Sequence, residues 1–566
     1  MRNTMKLNRV TLLLGLGCVV LPLGAYAAPP STGVILQQPT TVNPMQNERQ
    51  IIRPDQQGNM GKPSDGRSYQ EGQLTIRQIQ FQHDLRNVRD AELQQFIQPY
   101  LNKTYFLSEF REITTALQQW LQQRHGLIKA QVWIPLQEVE SGTVQIKISQ
   151  GSLVGYQVSD NISPQQAKKI SMMAEQILAK GSPLRQQQLE EVAYRAIDYV
   201  GRPVQIVLVP TAEVGKYQVL LDVAKQSKVT GSISLDNTGN RYTSEFRDYS
   251  NISFNDLTGH QDSLSVAAQV MNQYQHAGQI RYEIPSINGW RFGLNGQYSD
   301  YQLCCEFKAL DVQGEVTELS ADAFYTLQRQ RALSLWLGAR AKHWNSESEQ
   351  LGMQTTDREI NSLSLLSNIS WSNFADHYLQ LEVTGGQVKL GNAADQAMDK
   401  VSADIAGNFA KFKANYFLNA PLAAHSTAAM QATAQFANKN LESSEKLSMG
   451  GLSAIRAYPY GEAMGDSAAV AQLEYRYRIL PTLQTAAFYD MGYVQRNMDE
   501  WDSTTKNQYY LHGAGASLTW QPIQSMRLQL IGAAKLGENA GQDSNGYDSD
   551  GKDSRVRGWI VGSWSF

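Results

Sequence analysis

What the chain lacks narrows its identity first. Only three cysteines occur in 566 residues, and Cys18 lies in the N-terminal apolar run. The other two, Cys304 and Cys305, are adjacent and pair only through a strained ring, so a disulfide framework is excluded as the basis of stability. An excess of one charge is also missing: 50 Lys and Arg stand against 53 Asp and Glu, a formal net charge of −3. With no Lys/Arg run to break that balance, nucleic acid is not expected as a partner. After the N-terminal run, no apolar stretch reaches the roughly eighteen residues a membrane helix needs. That excludes helical insertion but not a membrane barrel, whose short alternating strands keep bulk hydropathy low. Gly-x-Ser-x-Gly elbows, Walker A loops and His-Glu-x-x-His helices are absent from the sequence, and the eight histidines are scattered. No catalytic residue, cofactor or metal ligand is therefore expected, and the chain reads as a non-enzyme.

What is there begins with an export signal. Arg2, Lys6 and Arg9 precede an apolar run that ends in Ala25-Tyr26-Ala27, a small-x-small cleavage site, so residues 1–27 read as a secretory signal peptide. Gly15 stands where a lipobox wants leucine, which argues against lipidation of Cys18. Residues 28–73 are rich in Pro, Gln, Asn and Gly, and read as a linker with room for one short helix after Ser31 or Thr32.

From Leu74 the pattern turns regular. Leu74, Ile76, Ile79 and Phe81 alternate as in a strand, with one change of phase. Two helical patterns follow, the second with Ser108 as a candidate cap, Phe110, Ile113, Leu117 and Leu121 on one face, and Gly126 as its stop. Two strands close the unit, the second placing Val144, Ile146 and Ile148 on one side. The order strand, helix, helix, strand, strand then repeats, which predicts two small tandem α+β modules over 74–150 and 151–226.

Beyond residue 227 helical periodicity gives way to period-two segments. Val229, Gly231, Ile233 and Leu235 oppose Lys228, Thr230, Ser232, Ser234 and Asp236. Leu473, Tyr475, Tyr477 and Ile479 oppose Gln472, Glu474, Arg476 and Arg478. A soluble sandwich fits each segment alone. The export signal, the strand lengths, the aromatics at segment ends and the terminal Phe566 on an alternating strand favour a transmembrane antiparallel β-barrel over 227–566. At about twenty residues per strand and connection, it holds about 16 strands.

The stretch Ile455–Asp466, IRAYPYGEAMGD, interrupts the alternation. Five strand patterns follow it, Ala468–Ile479, Leu483–Val494, Tyr509–Trp520, Met526–Gly537 and Arg555–Phe566, separated by short and long connections in turn. Short turns belong to the periplasmic side, so this stretch falls on the external face. In the pattern starting at Leu483, Phe488, Asp490 and Gly492 face the lumen, where a carboxylate needs a partner; Arg456 offers a bidentate guanidinium. Two weaker motifs have bland readings. The glycines near His512 resemble part of a dinucleotide fingerprint but lack its final glycine and read as aids to strand curvature; the acidic loop with Asp543, Asn545, Asp548, Asp550 and Asp553 has the ligand types to wrap calcium but lacks the distant bidentate Glu of an EF-hand, and reads as a solvated loop.

These residues carry a family resemblance. The tandem modules resemble polypeptide-transport-associated (POTRA) domains. Ile455, Arg456, Ala457, Tyr458, Gly461, Glu462, Gly465 and Asp466 resemble the pattern Val-Arg-Gly-Tyr-x-x-Gly-Glu-x-x-Gly-Asp of two-partner secretion transporters (TpsB type) in the Omp85 superfamily, with Ala457 in place of the usual glycine. Phe488, Asp490 and Gly492 match its Phe-x-Asp-x-Gly motif, and Leu235–Asn240 is similar to its first strand and loop. The resemblance implies an outer-membrane protein of a Gram-negative bacterium with POTRA-like domains in the periplasm. An N-terminal plug helix, best matched by Ser31–Gln38, would precede them, and the loop would fold back into the barrel so that Arg456 meets Asp490. It further implies export of a large secreted partner (TpsA type: a contact-dependent inhibition toxin, haemolysin or adhesin), captured by the periplasmic domains and passed through the pore without nucleotide hydrolysis. Outer-membrane lipid and the barrel assembly machinery, reading the strand that ends in Phe566, are the other implied partners. The alternative within the superfamily is a barrel assembly factor, which usually carries more than two tandem modules.

Overall fold

The computed structural model describes residues 73–566 apart from residues 136, 138, 140, 141, 214, 272, 273 and 504. The expected signal peptide and plug helix lie outside the described residues. The phase change after Ile76 marks a change of sheet. β1 (Gln73–Ile76) pairs with β3 (Lys103–Phe106), a strand the helical reading passed over, while β2 (Gln78–His83) runs parallel to β5 (Thr143–Ser149). β4 (Gln131–Trp133) completes the order β2-β5-β4. Against this sheet pack α1 (Asp90–Ile97) and α2 (Leu107–His125). The α2 face Ile113, Leu117 and Leu121 is buried with Val144, Ile146 and Ile148, and Gly126 ends the helix at φ 66°. Its start differs from expectation: Phe106 holds the cap position and its N–H donates to the Glu109 carboxylate at 2.7 Å, which puts Ser108 inside the first turn.

The second module follows the expected order. β6 (Ser152–Val158), α3 (Pro164–Ile177), α4 (Gln186–Val200), β7 (Val204–Pro210) and β8 (Lys216–Val223) form a sheet ordered β6-β8-β7. Ser163 caps α3, accepting from Gln166 N–H, with Pro164 at the first helical position. Leu189, Val192 and Ala193 of α4 bury against Ile206, Val219 and Leu221.

Sixteen antiparallel strands then close into a barrel. They are β9 (Val229–Asp236), β10 (Arg247–Asn255), β11 (Ser263–Met271), β12 (Gln275–Pro285), β13 (Trp290–Gln302) and β14 (Val312–Arg329). Next come β15 (Ser334–Gln350), β16 (Met353–Ser372), β17 (Asp376–Leu390), β18 (Gly407–Ala423) and β19 (Ser426–Ala437). The last are β20 (Ser467–Leu480), β21 (Leu483–Gln495), β22 (Gln508–Trp520), β23 (Met526–Lys535) and β24 (Val556–Ser565). Period two sorts the wall as expected: Leu294, Leu319 and Leu363 are exposed toward lipid, whereas Gln269, Asp322 and Ser364 point inward and are buried. β24 pairs with β9 from Val561↔Asp236 to Ser565↔Ser232, and Phe566 exchanges backbone bonds with Gly231 at 2.9 and 3.0 Å.

Because the second module feeds directly into β9, every turn on that side is periplasmic; the long connections 391–406, 438–466 and 536–555 all lie at the other end, which also holds the tight turn Leu351–Gly352. The module grips the periplasmic turns. Arg329 Nε donates to Asp198 at 3.1 Å and its guanidinium lies over the Tyr194 and Trp336 rings. Gln166 donates to Asp256 and to the Gly259 carbonyl, both at 3.0 Å. At the opposite end Cys304 and Cys305 are joined to each other in the loop after β13, so the bond crosslinks no distant segments. Among the described residues no helix is long and apolar enough to cross a membrane.

Candidate functional site

The connection from β19 to β20, residues 438–466, turns back into the lumen instead of extending outward. Arg456 stands at its tip, 4% exposed, and Asp490 on β21 is fully buried beneath it. Asp490 accepts three bonds from this one residue: Nη2 at 2.6 Å, Nε at 2.9 Å and the backbone N–H at 3.0 Å. This is the bidentate fork that a guanidinium makes with a carboxylate and that an ammonium does not. Arg456 Nη1 also bonds Glu474 on β20, which Arg476 holds from its other side through Nε at 2.7 Å. Arg476, Glu474, Arg456 and Asp490 thus form a chain of alternating charge with no net sum, the condition under which ions tolerate burial. The Phe488 ring faces the guanidinium, 3.5 Å from its carbon, adding a cation–π contact. The tip's carbonyls are also met: Trp559 on β24 donates to the Arg456 carbonyl at 2.8 Å, and Gln472 to those of Leu452 and Ala454 at 2.9 and 2.6 Å.

The other motif residues serve the same placement. Gly461 takes φ 83°, which disfavours any side chain. Gly465 and Gly492 are sites of close approach, where a Cβ would lie 2.5 Å from Val494 and 2.1 Å from Met449. Ala457, the departure from the family pattern, is fully buried and is not among the residues with positive φ, so the position does not call on glycine's freedom. Tyr458 is fully buried with Ile455, Leu511, Ile531 and Trp559, and Lys535 sits over its ring. Glu462 reaches the loop 536–555, accepting from Asn539 at 2.9 Å and from Ser549 N–H at 2.7 Å. Asp466 ties the base, accepting from Leu441 N–H and Met498 N–H at 2.9 Å each and from Lys446 Nζ at 3.1 Å.

Both bland readings change in detail. Gly513 of β22 makes room for the loop rather than merely easing curvature, since a Cβ there would stand 2.7 Å from that of Ala457; one on Gly515 would instead meet the barrel wall, 2.1 Å from the Gly532 carbonyl and 2.5 Å from Phe488. The acidic loop is partnered internally. Asp548 bonds Lys535, Arg557 and Asn539, Asp550 bonds Arg557, and Asp543 accepts from the N–H groups of Asn545 and Tyr547. No group of three or more metal-ligating side chains stands together among the described residues. Sequence reasoning did not single out Glu474, Trp559, Glu442 or Glu445. Period two did put Glu474 on the inward face, but nothing in the sequence says which inward residues the loop will meet.

Comparison with known proteins brings the two halves together. The family described as haemolysin secretion/activation protein ShlB/FhaC/HecB matches residues 215–520, and the ShlB-type POTRA domain matches residues 74–151. The heme/hemopexin transporter protein HuxB of Haemophilus influenzae is 27% identical, over 83% of this chain and 85% of HuxB. The outer membrane transporter CdiB of Dickeya dadantii is 22% identical, over 76% of this chain and 78% of that protein. Among solved structures, CdiB from Escherichia coli superposes with a TM-score of 0.64 at 18% identity, covering 91% of this chain and 93% of that one.

Proposed function

We propose how export proceeds in this chain from one premise: it belongs to the ShlB/FhaC/HecB family of haemolysin secretion/activation proteins. It is a two-partner secretion transporter of the outer membrane, with its POTRA domains in the periplasm, and it translocates a secreted partner protein. In the proposed cycle the two periplasmic modules hold the partner unfolded by adding a strand of it to a sheet edge, β2 or β4 in the first and β6 or β7 in the second. The partner then threads the barrel, whose Ser-, Asn- and Gln-lined inner face keeps an extended backbone hydrated. The loop 438–466 is the gate. It blocks the lumen while Arg456 rests on Asp490 and yields when the partner arrives. No nucleotide is hydrolysed, and folding of the partner outside biases the movement.

The partner is a large exoprotein of the TpsA type: a contact-dependent inhibition toxin, haemolysin or adhesin. The relative named for heme/hemopexin transport adds a heme- or hemopexin-linked cargo to these classes. Outer-membrane lipid surrounds the apolar band, and the barrel assembly machinery reads the strand ending in Phe566. The observation that carries this reading is the buried, charge-balanced seat of Arg456 inside the barrel. The test is Arg456→Ala, with secretion of the partner measured at matched barrel levels. Export is expected to fall severely; unimpaired export would overturn the gate.

A further inference from the structure

The loop is held at a second place, on the other side of its stem. Glu445 lies in the short turn of helix Ser443–Glu445, 3% exposed. Its carboxylate sits between two lysines that descend from different strands: Lys411 of β18 at 2.6 Å and Lys342 of β15. Its carbonyl accepts from Lys411 Nζ and from Gln435 Nε2, both at 2.9 Å. Three residues earlier, Glu442 bonds Arg358 of β16 at 3.3 Å, and Arg358 in turn forks onto Asp395 at 2.9 and 3.0 Å. Asp395 belongs to α5 (Ala393–Asp399) in the connection from β17 to β18. Lys413, Glu318 and Glu382 stand in the same field.

We infer that Glu445, with Glu442 beside it, is a positioning residue for transport: a second fastening that ties the loop stem to β15, β16 and β18 while Arg456 ties its tip to β20 and β21. The charges require it. Lys342, Lys411 and Lys413 project into one region of the lumen, and Glu445 is the loop's contribution to their balance; withdrawing the loop leaves the lysines to Glu318 and Glu382. Both seats use charge-assisted bonds, which water replaces once the lumen around them is wetted. Release of the whole loop therefore means undoing two separated ion clusters rather than one. The inference rests on the loop being the gate.

The experiment uses the full-length protein in native outer membranes, with Ala454→Cys as a reporter buried at the loop tip, labelled by a maleimide added from outside. Glu445→Gln preserves shape, and heat-modifiable migration on gels reports the closed barrel. The label rate is expected to rise about ten- to a hundredfold, the factor set by losing a hydrogen-bonded charge contact. Lys411→Gln, which removes the partner instead, raises it likewise, and the swap Glu445→Lys with Lys411→Glu returns it toward the parental rate. If Arg456→Ala speeds labelling while Glu445→Gln and Lys411→Gln leave it unchanged, the second fastening is overturned and the gate stands. If none of the three changes it, the gate falls as well.

Discussion

Replacing Asp490 by Asn keeps the side chain's shape and removes its charge, so it isolates the electrostatic part of the seat. In the native chain two guanidinium groups, Arg476 and Arg456, alternate with two carboxylates, Glu474 and Asp490. Asp490→Asn leaves that buried chain one positive charge in excess, and turns the new amide's N–H groups toward guanidinium donors. Breaking a buried pair from one side costs about 3–5 kcal/mol. Glu474 still holds Arg456, which argues for the lower end, near 3 kcal/mol, or roughly a hundredfold in the equilibrium between seated and released loop. Arg456→Ala strands Asp490 instead, since Arg476 keeps hold of Glu474, and carries a similar cost. The double variant strands neither Asp490's charge nor Arg456's, so the two effects together should fall short of their sum by at least about 1.5 kcal/mol, as coupled close charge pairs do. The rate at which an added protease cuts the loop 438–466 reads this equilibrium, provided the loop opens and closes quickly relative to cleavage. Cleavage rates that multiply independently, with coupling below about 0.5 kcal/mol, would refute the pairing as the source of the seat's stability.

Two further predictions test the surroundings of the seat. Gly513→Leu places a side chain where Ala457 lies, with its Cβ 2.7 Å from that methyl; overpacking of about 1–3 kcal/mol should displace the tip while the barrel still closes, seen as faster proteolysis of the loop with unchanged heat-modifiable migration. Arg329→Ala removes the bond to Asp198 and the stacking on Tyr194 and Trp336, so spin labels on the second module and on the barrel should show a broader distance distribution; a distribution as narrow as the parent's would show that Gln166, together with Arg202 of the module, which donates to Gln261 of the barrel at 3.3 Å, suffices to hold the junction.

What the sequence disclosed followed from how local each feature is. The strands from β20 to β24 were legible to within about two residues because alternation and turn length are both read within a single segment. The lumenal aspect of Asp490 followed from its parity with Phe488 and Gly492. β3 was missed because Lys103–Phe106 is too short to show a period, and its partner β1 lies across a helix. The start of α2 was misjudged because Ser108 looks like a cap in isolation, whereas the Glu109 carboxylate already serves the N–H of Phe106 one turn back. Glu445 was invisible for a different reason. Parity places Lys342 and Lys411 inside the barrel, but that they stand close enough to share one carboxylate depends on closure through β16 and β17, which no local pattern encodes.

The same distance from local pattern explains why the loop is held by charge as well as by packing. Its apolar contacts, Met449, Ile455 and Tyr458 against Leu511, Ile531 and Trp559, are nondirectional and resist wetting. They favour keeping the loop inside without fixing how it lies there. The ion seats fix the register: a fork on Asp490 accepts one orientation of Arg456, and the lysine pair accepts a carboxylate only at one height along β15 and β18. They also set the manner of release in the proposed cycle. A charged group leaving a buried partner regains its hydration, so the cost of opening is the difference between two large terms, and an entering hydrated chain reduces it by bringing water to the seat. A loop fixed by apolar burial alone would gain nothing from that arrival. Exchanging Arg456 and Asp490 for methionine and leucine should accordingly give a loop as well seated at rest as the native one, and a transporter that the partner fails to open.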